Sequence, residues 1–201
     1  MTSPLVLQGR RVSIRTLSES DYDAWHEIRT RCRGWLLPWE PRAAGASPPS
    51  EDRASFASRC ALRERERQAG SGYGFGIFIG EALVGEITLS SVQRGPFQSA
   101  SIGYWIDQAW AGQGIMPESV VVALRFAFEA LGLHRVEISI IPRNSASRRV
   151  PEKLGIRLEG VSARYLEING VWEDHVRYAI TIEEWARRGA ELVESWTAAP
   201  S

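Results

Sequence analysis

The sequence predicts an α/β domain of the α+β kind, with a mixed, mostly antiparallel twisted sheet of about seven strands flanked by about four helices. Three observations carry that reading. Two pairs of apolar runs flank short turn signals, at Gly80-Glu81-Ala82 and at Asn169-Gly170, and so read as β-hairpins. A further strand-like run, Ala100 to Ile106, feeds a glycine-bearing loop and then a long apolar-periodic segment. The whole chain reads β, α, α, hairpin, β, α, β, α, hairpin, with no repeat or linker to split it.

Each element has a local cause. Arg11 to Arg15 alternates polar and apolar residues, which suits a half-buried strand. Asp21, Ala24, Trp25 and Ile28 then fit a helix that begins near Ser18 or Ser20 with carboxylates in its first turn. Ala43 to Pro49 is built of loop-forming residues, and Glu51 to Gln68 reads as an amphipathic helix closed by Gly70-Ser71-Gly72. Tyr73 to Ile79 and Leu83 to Ser90 form the first hairpin, and Ala100 to Ile106 is the next strand. Pro117 to Leu131 carries apolar residues at helical spacing and takes proline as its first residue, where the missing N–H costs nothing. Arg135 to Ile141 is a strand, Asn144 opens a short helix that Gly155 ends, and Tyr165 to Ile168 pairs with Val171 to Ile180. The tail after Thr181 reads as helical through Trp185 and then frays.

Composition narrows the function. A chain of 201 residues fits one medium domain with one substantial core. Lys plus Arg equals Asp plus Glu at 24 each, so no net field announces a nucleic acid or an acidic membrane. The N-terminus lacks the pattern of a secretion signal, no apolar run approaches the roughly 20 residues that span a bilayer, and a cytoplasmic protein is expected. Cys32 and Cys60 show no metal spacing and read as free thiols. His26, His134 and His175 likewise form no catalytic or metal pattern, so no metal is expected.

The informative stretch runs from Ser101 to Arg149. A strand, the loop Ala111-Gly112-Gln113-Gly114-Ile115-Met116 and a helix N-terminus follow one another directly, leaving several backbone N–H groups convergent with the helix dipole behind them. Such a place binds phosphate. Asn144 and Ser147 follow on the next strand-to-helix junction, where both also suit ordinary helix capping and first-turn roles. Pro151 lacks the N–H that would bond the Ser147 carbonyl in a regular helix, so that carbonyl is left for another donor.

Strand, Gly-x-Gly-Ile loop, helix, strand and Asn-x-x-Ser together resemble the acetyl-CoA site of GCN5-related N-acetyltransferases, over Arg11 to about Trp185 of a single domain spanning residues 1–201. The family loop is written Q/R-x-x-G-x-G/A; here Ala111 stands first, Gly114 fourth and Met116 sixth, so two of the fixed positions depart. Gly112 to Met116 is similar to the variant loop of the branch that acetylates the N-termini of ribosomal proteins, and Trp35-Leu36-Leu37-Pro38-Trp39-Glu40-Pro41 resembles its ribosomal-protein-alanine enzymes.

The resemblance implies a GNAT fold, acetyl-CoA as co-substrate, and a protein or peptide N-terminus, such as that of a ribosomal protein, as acceptor. It places the pyrophosphate on the amides of Gly112, Gln113, Gly114, Ile115 and Met116, with Ala111 opening that cofactor loop. It places the pantetheine arm along the backbone of Trp105 and Ile106, with Asn144 bonding that arm or the phosphate side of the cofactor. It makes Ser147 the candidate acid for the leaving sulfur, with helix capping as the competing role. Glu86, Glu159 and Glu167 are the strand carboxylates available as base; the branch register falls on Leu166, beside Glu167. An α-amine with a pKa of about 7.7–8.0 also supplies a neutral fraction without any base. Trp35 and Trp39 line the expected acceptor groove or, more simply, anchor a loop. The rivals are a small-amine or aminoglycoside acetyltransferase and a non-catalytic acyl-CoA sensor, in a monomer or a homodimer.

Overall fold

A computed structural model gives the architecture and describes residues 5–42, 45 and 50–198. The expected loop from Ala43 to Pro49 lies outside the described residues except for Gly45, as does the Met1–Pro4 start. The strands are β1 (Val6–Gln8), β2 (Val12–Arg15), β3 (Tyr73–Ile79), β4 (Ala82–Gln93), β5 (Ser99–Ile106), β6 (Arg135–Ile140), β7 (Arg157–Ile168) and β8 (Val171–Thr181). The helices are α1 (Tyr22–Arg31), α2 (Arg33–Leu36), α3 (Arg53–Ala69), α4 (Ile115–Arg125), α5 (Ser145–Lys153) and α6 (Ile182–Thr197).

The strands form one sheet in the order β1-β2-β3-β4-β5-β6-β8-β7. Neighbours are antiparallel except β5 and β6, which run parallel because α4 lies between them in the chain. Their pairing covers only Ser99–Ile102 against Arg135–Ile138. Beyond it β5 continues to Ile106 and β6 to Ile140 without touching registers, and the two strands part. That parting positions the site.

Two apolar cores hold the layers. On one face Val120, Val121, Leu124 and Phe128 from α4 and its extension, Leu154 beside α5, and Trp185 and Leu192 from α6 pack on Ile77, Ile87, Leu89, Ile102 and Ile138. On the other, Trp25, Ile28, Cys32, Leu36 and Phe56 from α1 to α3 pack on Phe78 and Leu83. Each buried aliphatic or aromatic side chain contributes about 1.5–3 kcal/mol relative to exposure, so the sheet is stabilised from both sides.

Both hairpins form at their turn signals. Asn169 and Gly170 have φ of 51° and 85°, the left-handed pair that a two-residue turn between twisted strands requires. Elsewhere the structure differs in instructive ways. An additional edge strand, β1, pairs with β2. α4 starts at Ile115 with Gly114 as its N-cap, so Pro117 is the third helical residue rather than the first, still within the turn whose N–H groups have no intrahelical acceptor. α4 ends at Arg125, and Phe126–Ala130 continues as a π turn in which Leu131 N–H donates to the Phe126 carbonyl (3.0 Å). β7 begins at Arg157, not Tyr165; it is mostly exposed and has Gly160 at φ 132° and Arg164 at φ 47°, so periodicity along it is lost. α6 does not fray after Trp185: Leu192, Val193 and Trp196 continue its apolar face, and a Thr181–Glu184 capping box starts it.

Candidate active site

The parted end of β5 is where the site begins. The Asp107 N–H donates to the Val84 carbonyl (2.8 Å), while the Ile106 carbonyl turns away from β4 and accepts from Trp35 Nε1 (3.1 Å). Alternation then directs the backbone groups of Tyr104 and Ile106 toward the open side, and those of Trp105 toward Glu86 on β4. The edge open to an amide-bearing arm is therefore that of Tyr104 and Ile106. The Trp105 side chain packs instead against the α1–α3 core.

Asp107, 2% exposed, organises the exit from β5. Its carboxylate accepts from the Ala109 N–H (3.0 Å), from Arg31 Nη2 (2.9 Å) and from Cys32 Sγ (3.2 Å). One buried charge thus ties the end of α1 to the start of the glycine loop. Burial pushes the Cys32 thiol up, so it stays neutral beside that carboxylate.

The loop is open to an anion. Gly112 and Gly114 sit at φ of 79° and 81°, a conformation that side-chain-bearing residues rarely adopt. Among the described residues no protein acceptor meets the amides of Gly112, Gln113, Gly114, Ile115 or Met116, and the α4 dipole lies behind them. Glu118, fully buried, fixes the loop from behind by accepting from the N–H groups of Arg11 (2.6 Å) and Val12 (3.1 Å) and from Arg11 Nε (3.0 Å). Arg11 Nη1 in turn donates to the Gln113 carbonyl (3.0 Å).

Across the gap stands α5. Asn144 Oδ1 accepts from the Ser147 N–H (3.1 Å), as a capping residue should. Its amide NH₂ has no protein acceptor among the described residues, so Asn144 can cap the helix and still donate to a ligand. The Ser147 carbonyl left free by Pro151 accepts from the Tyr104 hydroxyl (2.9 Å), and burial raises the pKa of that phenol.

The 35–41 segment forms a further wall of the cleft. Besides the Trp35–Ile106 bond, Asn169 Nδ2 donates to the Leu37 carbonyl (3.0 Å), Pro41 bridges Ile168, and Arg42 pairs with Asn169. The β7–β8 turn therefore clasps this segment. Arg143, held by Glu173 (2.6 Å), lies over the Trp39 ring at 5.6 Å.

These parts line one cleft of about 1650 Å³. It brings together Trp35, Trp39, Trp105, Ile106, Ala111, Gly112, Gly114, Ile115, Met116, Asn144 and Ser147. Gln113 and Glu167 are not among its lining residues, and the Glu167 carbonyl accepts from the Arg42 N–H (3.0 Å) just past the 35–41 segment. Of the strand carboxylates Glu86 alone lines the cleft, where it accepts from Trp25 Nε1 (2.7 Å) and from Arg59 through both Nη atoms (3.0 and 2.8 Å). Glu159 is taken by Arg135 and Arg157, whose hydrogen bonds hold its carboxyl below the usual range. Sequence reasoning missed Tyr104, Trp110 and Arg59 as lining residues; Pro151 signalled a missing donor without indicating which residue supplies it.

The family model for the acetyltransferase (GNAT) domain matches residues 11–157. The [ribosomal protein uS5]-alanine N-acetyltransferase of Escherichia coli is 33% identical over 170 residues, 82% of this chain and 86% of that protein. A probable N-acetyltransferase, YjcK of Bacillus subtilis, is 46% identical over 110 residues; the match spans 54% of this chain and 61% of that protein's length. Among solved structures, Mycobacterium smegmatis RimJ in complex with CoA-disulfide superposes with a TM-score of 0.86 at 33% identity, covering 96% of this chain and 93% of that one. With the parted strands and the loop of unbonded amides, these likenesses establish that the chain belongs to the GNAT family of N-acetyltransferases, whose co-substrate is acetyl-CoA.

Proposed function

We propose that this protein transfers the acetyl group of acetyl-CoA to the α-amine at a protein N-terminus, with a ribosomal protein that begins with a small residue as acceptor. The observation that carries the reading is that the acceptor wall and the cofactor edge are joined: Trp35 bonds the Ile106 carbonyl at the end of the open strand edge. An N-terminus lying along Trp35 and Trp39 reaches the end of that edge. The similarity to enzymes named for alanine at a ribosomal N-terminus supports the same acceptor.

Acetyl-CoA supplies an activated acyl group as a thioester. The loop amides from Gly112 to Met116 hold its pyrophosphate, and the Tyr104–Ile106 edge with the Asn144 NH₂ orients its amide-rich arm. Ser147 lines the cleft, and its hydroxyl gives its proton to the departing sulfur and regains one from the nitrogen as the new amide forms. The carboxylates lining the cleft are paired with arginines, Glu40 and Glu51 with Arg29 and Glu86 with Arg59. That pairing leaves no acidic lining suited to a polycationic small amine. It also leaves deprotonation to the acceptor's own equilibrium, since an α-amine titrates near 7.7–8.0.

The test is a peptide panel that differs only in the first two residues, read by thiol release. Preference for small first residues is expected. Turnover of small amines in place of every peptide would favour the aminoglycoside-type rival, and absence of thiol release with any acceptor would favour a sensor.

A further inference from the structure

Ser147 is anchored more tightly than a first-turn serine needs to be. In a regular helix its carbonyl accepts from the residue four positions on; here that residue is Pro151, which has no N–H. The Tyr104 hydroxyl fills the vacancy from β5 at 2.9 Å, reaching across the gap where β5 and β6 have parted. From the other side the Asn144 side chain holds the Ser147 N–H at 3.1 Å. Both backbone groups of Ser147 are thus fixed by side chains, the N–H by the N-cap of its own helix and the carbonyl by a residue of β5, while Tyr104 and Ser147 line the same cleft. The phenol has one proton, and it is already committed to a carbonyl.

We propose that Tyr104 is a positioning residue for Ser147: its hydroxyl replaces the donor that Pro151 lacks and sets the distance of the Ser147 hydroxyl from the cofactor sulfur. The inference rests on the reading of Ser147 as the acid. Tyrosine on the strand and proline in the helix then form one device, in which each makes sense only with the other. A misplacement of about 1 Å at a reacting group can cost on the order of 10²-fold in rate, so a single hydrogen bond at this point has leverage.

The test is a cycle of four variants measured at saturating acetyl-CoA and peptide, with folding confirmed by thermal melts. Tyr104→Phe keeps the ring and removes the donor; it is expected to lower kcat by about 10-fold or more while changing the KM for acetyl-CoA much less. In a Ser147→Ala background the same substitution should lower kcat no further, because Tyr104 acts through that hydroxyl. Pro151→Ala restores a helical N–H to the Ser147 carbonyl and should recover part of the turnover lost in Tyr104→Phe. Full activity in Tyr104→Phe, or losses that multiply in the double variant, would overturn the positioning role while leaving the acid reading intact. Full activity in Ser147→Ala would instead remove the acid reading, and the positioning role with it.

Discussion

At the scale of single residues, the proposed acid Ser147 makes the sharpest demand. It lines the cleft, whereas the buried Ser119 returns its hydroxyl to the Ile115 carbonyl (2.9 Å), the usual fate of a serine inside a helix. Ser147→Ala should lower kcat by about 10²–10⁴-fold with little change in acetyl-CoA affinity, since it removes an interaction used only as the sulfur departs. Steady-state kinetics beside calorimetric Kd values check this. The arginine-paired carboxylates make a second expectation. With the acceptor supplying its own neutral amine, kcat/KM should rise with pH and level off above the amine's pKa of about 7.7–8.0. Two peptides with different α-amine pKa values should show inflections that differ accordingly; an inflection fixed at one pH for both would point to a protein base. Cys60 offers a simpler check. Burial pushes its thiol up to about 11, so it is almost wholly protonated at pH 8 and should alkylate far more slowly than a small-molecule thiol.

Among the elements, the loop before α4 and the last helix make the clearest demands. Gly114→Pro removes an amide donor and is incompatible with φ of 81°, so acetyl-CoA binding should weaken sharply in calorimetry on folded protein. An unchanged Kd would contradict the phosphate assignment. α6 is part of the core, with Leu192 at 5% exposure, and Leu192→Ala should cost about 2–5 kcal/mol in denaturant unfolding. A loss within experimental error would mean the helix is ornamental. The same elements show how far sequence reaches. The Asn169-Gly170 turn was legible because its backbone conformation restricts the residues allowed, and the Gly112–Gly114 loop for the same reason. The continuation of α6 was hidden by Ala, Arg and Glu between its apolar residues, although 185, 192, 193 and 196 share a face. The first half of β7 was illegible for a different cause: an exposed edge strand interrupted by register shifts has no buried face to impose a period of two.

For the whole molecule, one architectural fact organises function: the sheet parts between β5 and β6, and everything that reads as chemistry borders the gap. Loop, α4 and α5 were visible in the sequence because each carries its own local signal. The contacts that unite them were not, since they join residues far apart in the chain. Cys32 with Asp107, Trp35 with the Ile106 carbonyl and the 169–170 turn with the 37–42 segment are of this kind. Pro151 announced an unfilled acceptor, yet only the fold supplied Tyr104 as its donor. The 35–41 segment, the proposed acceptor wall, likewise depends on distant parts, with Arg143 and Glu173 behind Trp39. Trp35→Ala and Trp39→Ala should therefore raise the peptide KM while leaving acetyl-CoA affinity nearly intact, and unchanged peptide kinetics in both folded variants would remove these indoles from the acceptor site.

The central claim is that this cleft accepts an α-amine at a chain terminus. It is tested most directly by mass-spectrometric localisation of the acetyl group on a peptide that carries both a free α-amine and an internal lysine, beside the same peptide with its N-terminus blocked. The account predicts acetylation at the N-terminal residue of the first peptide and none of the second; acetyl-lysine on the blocked peptide at a comparable rate would contradict it.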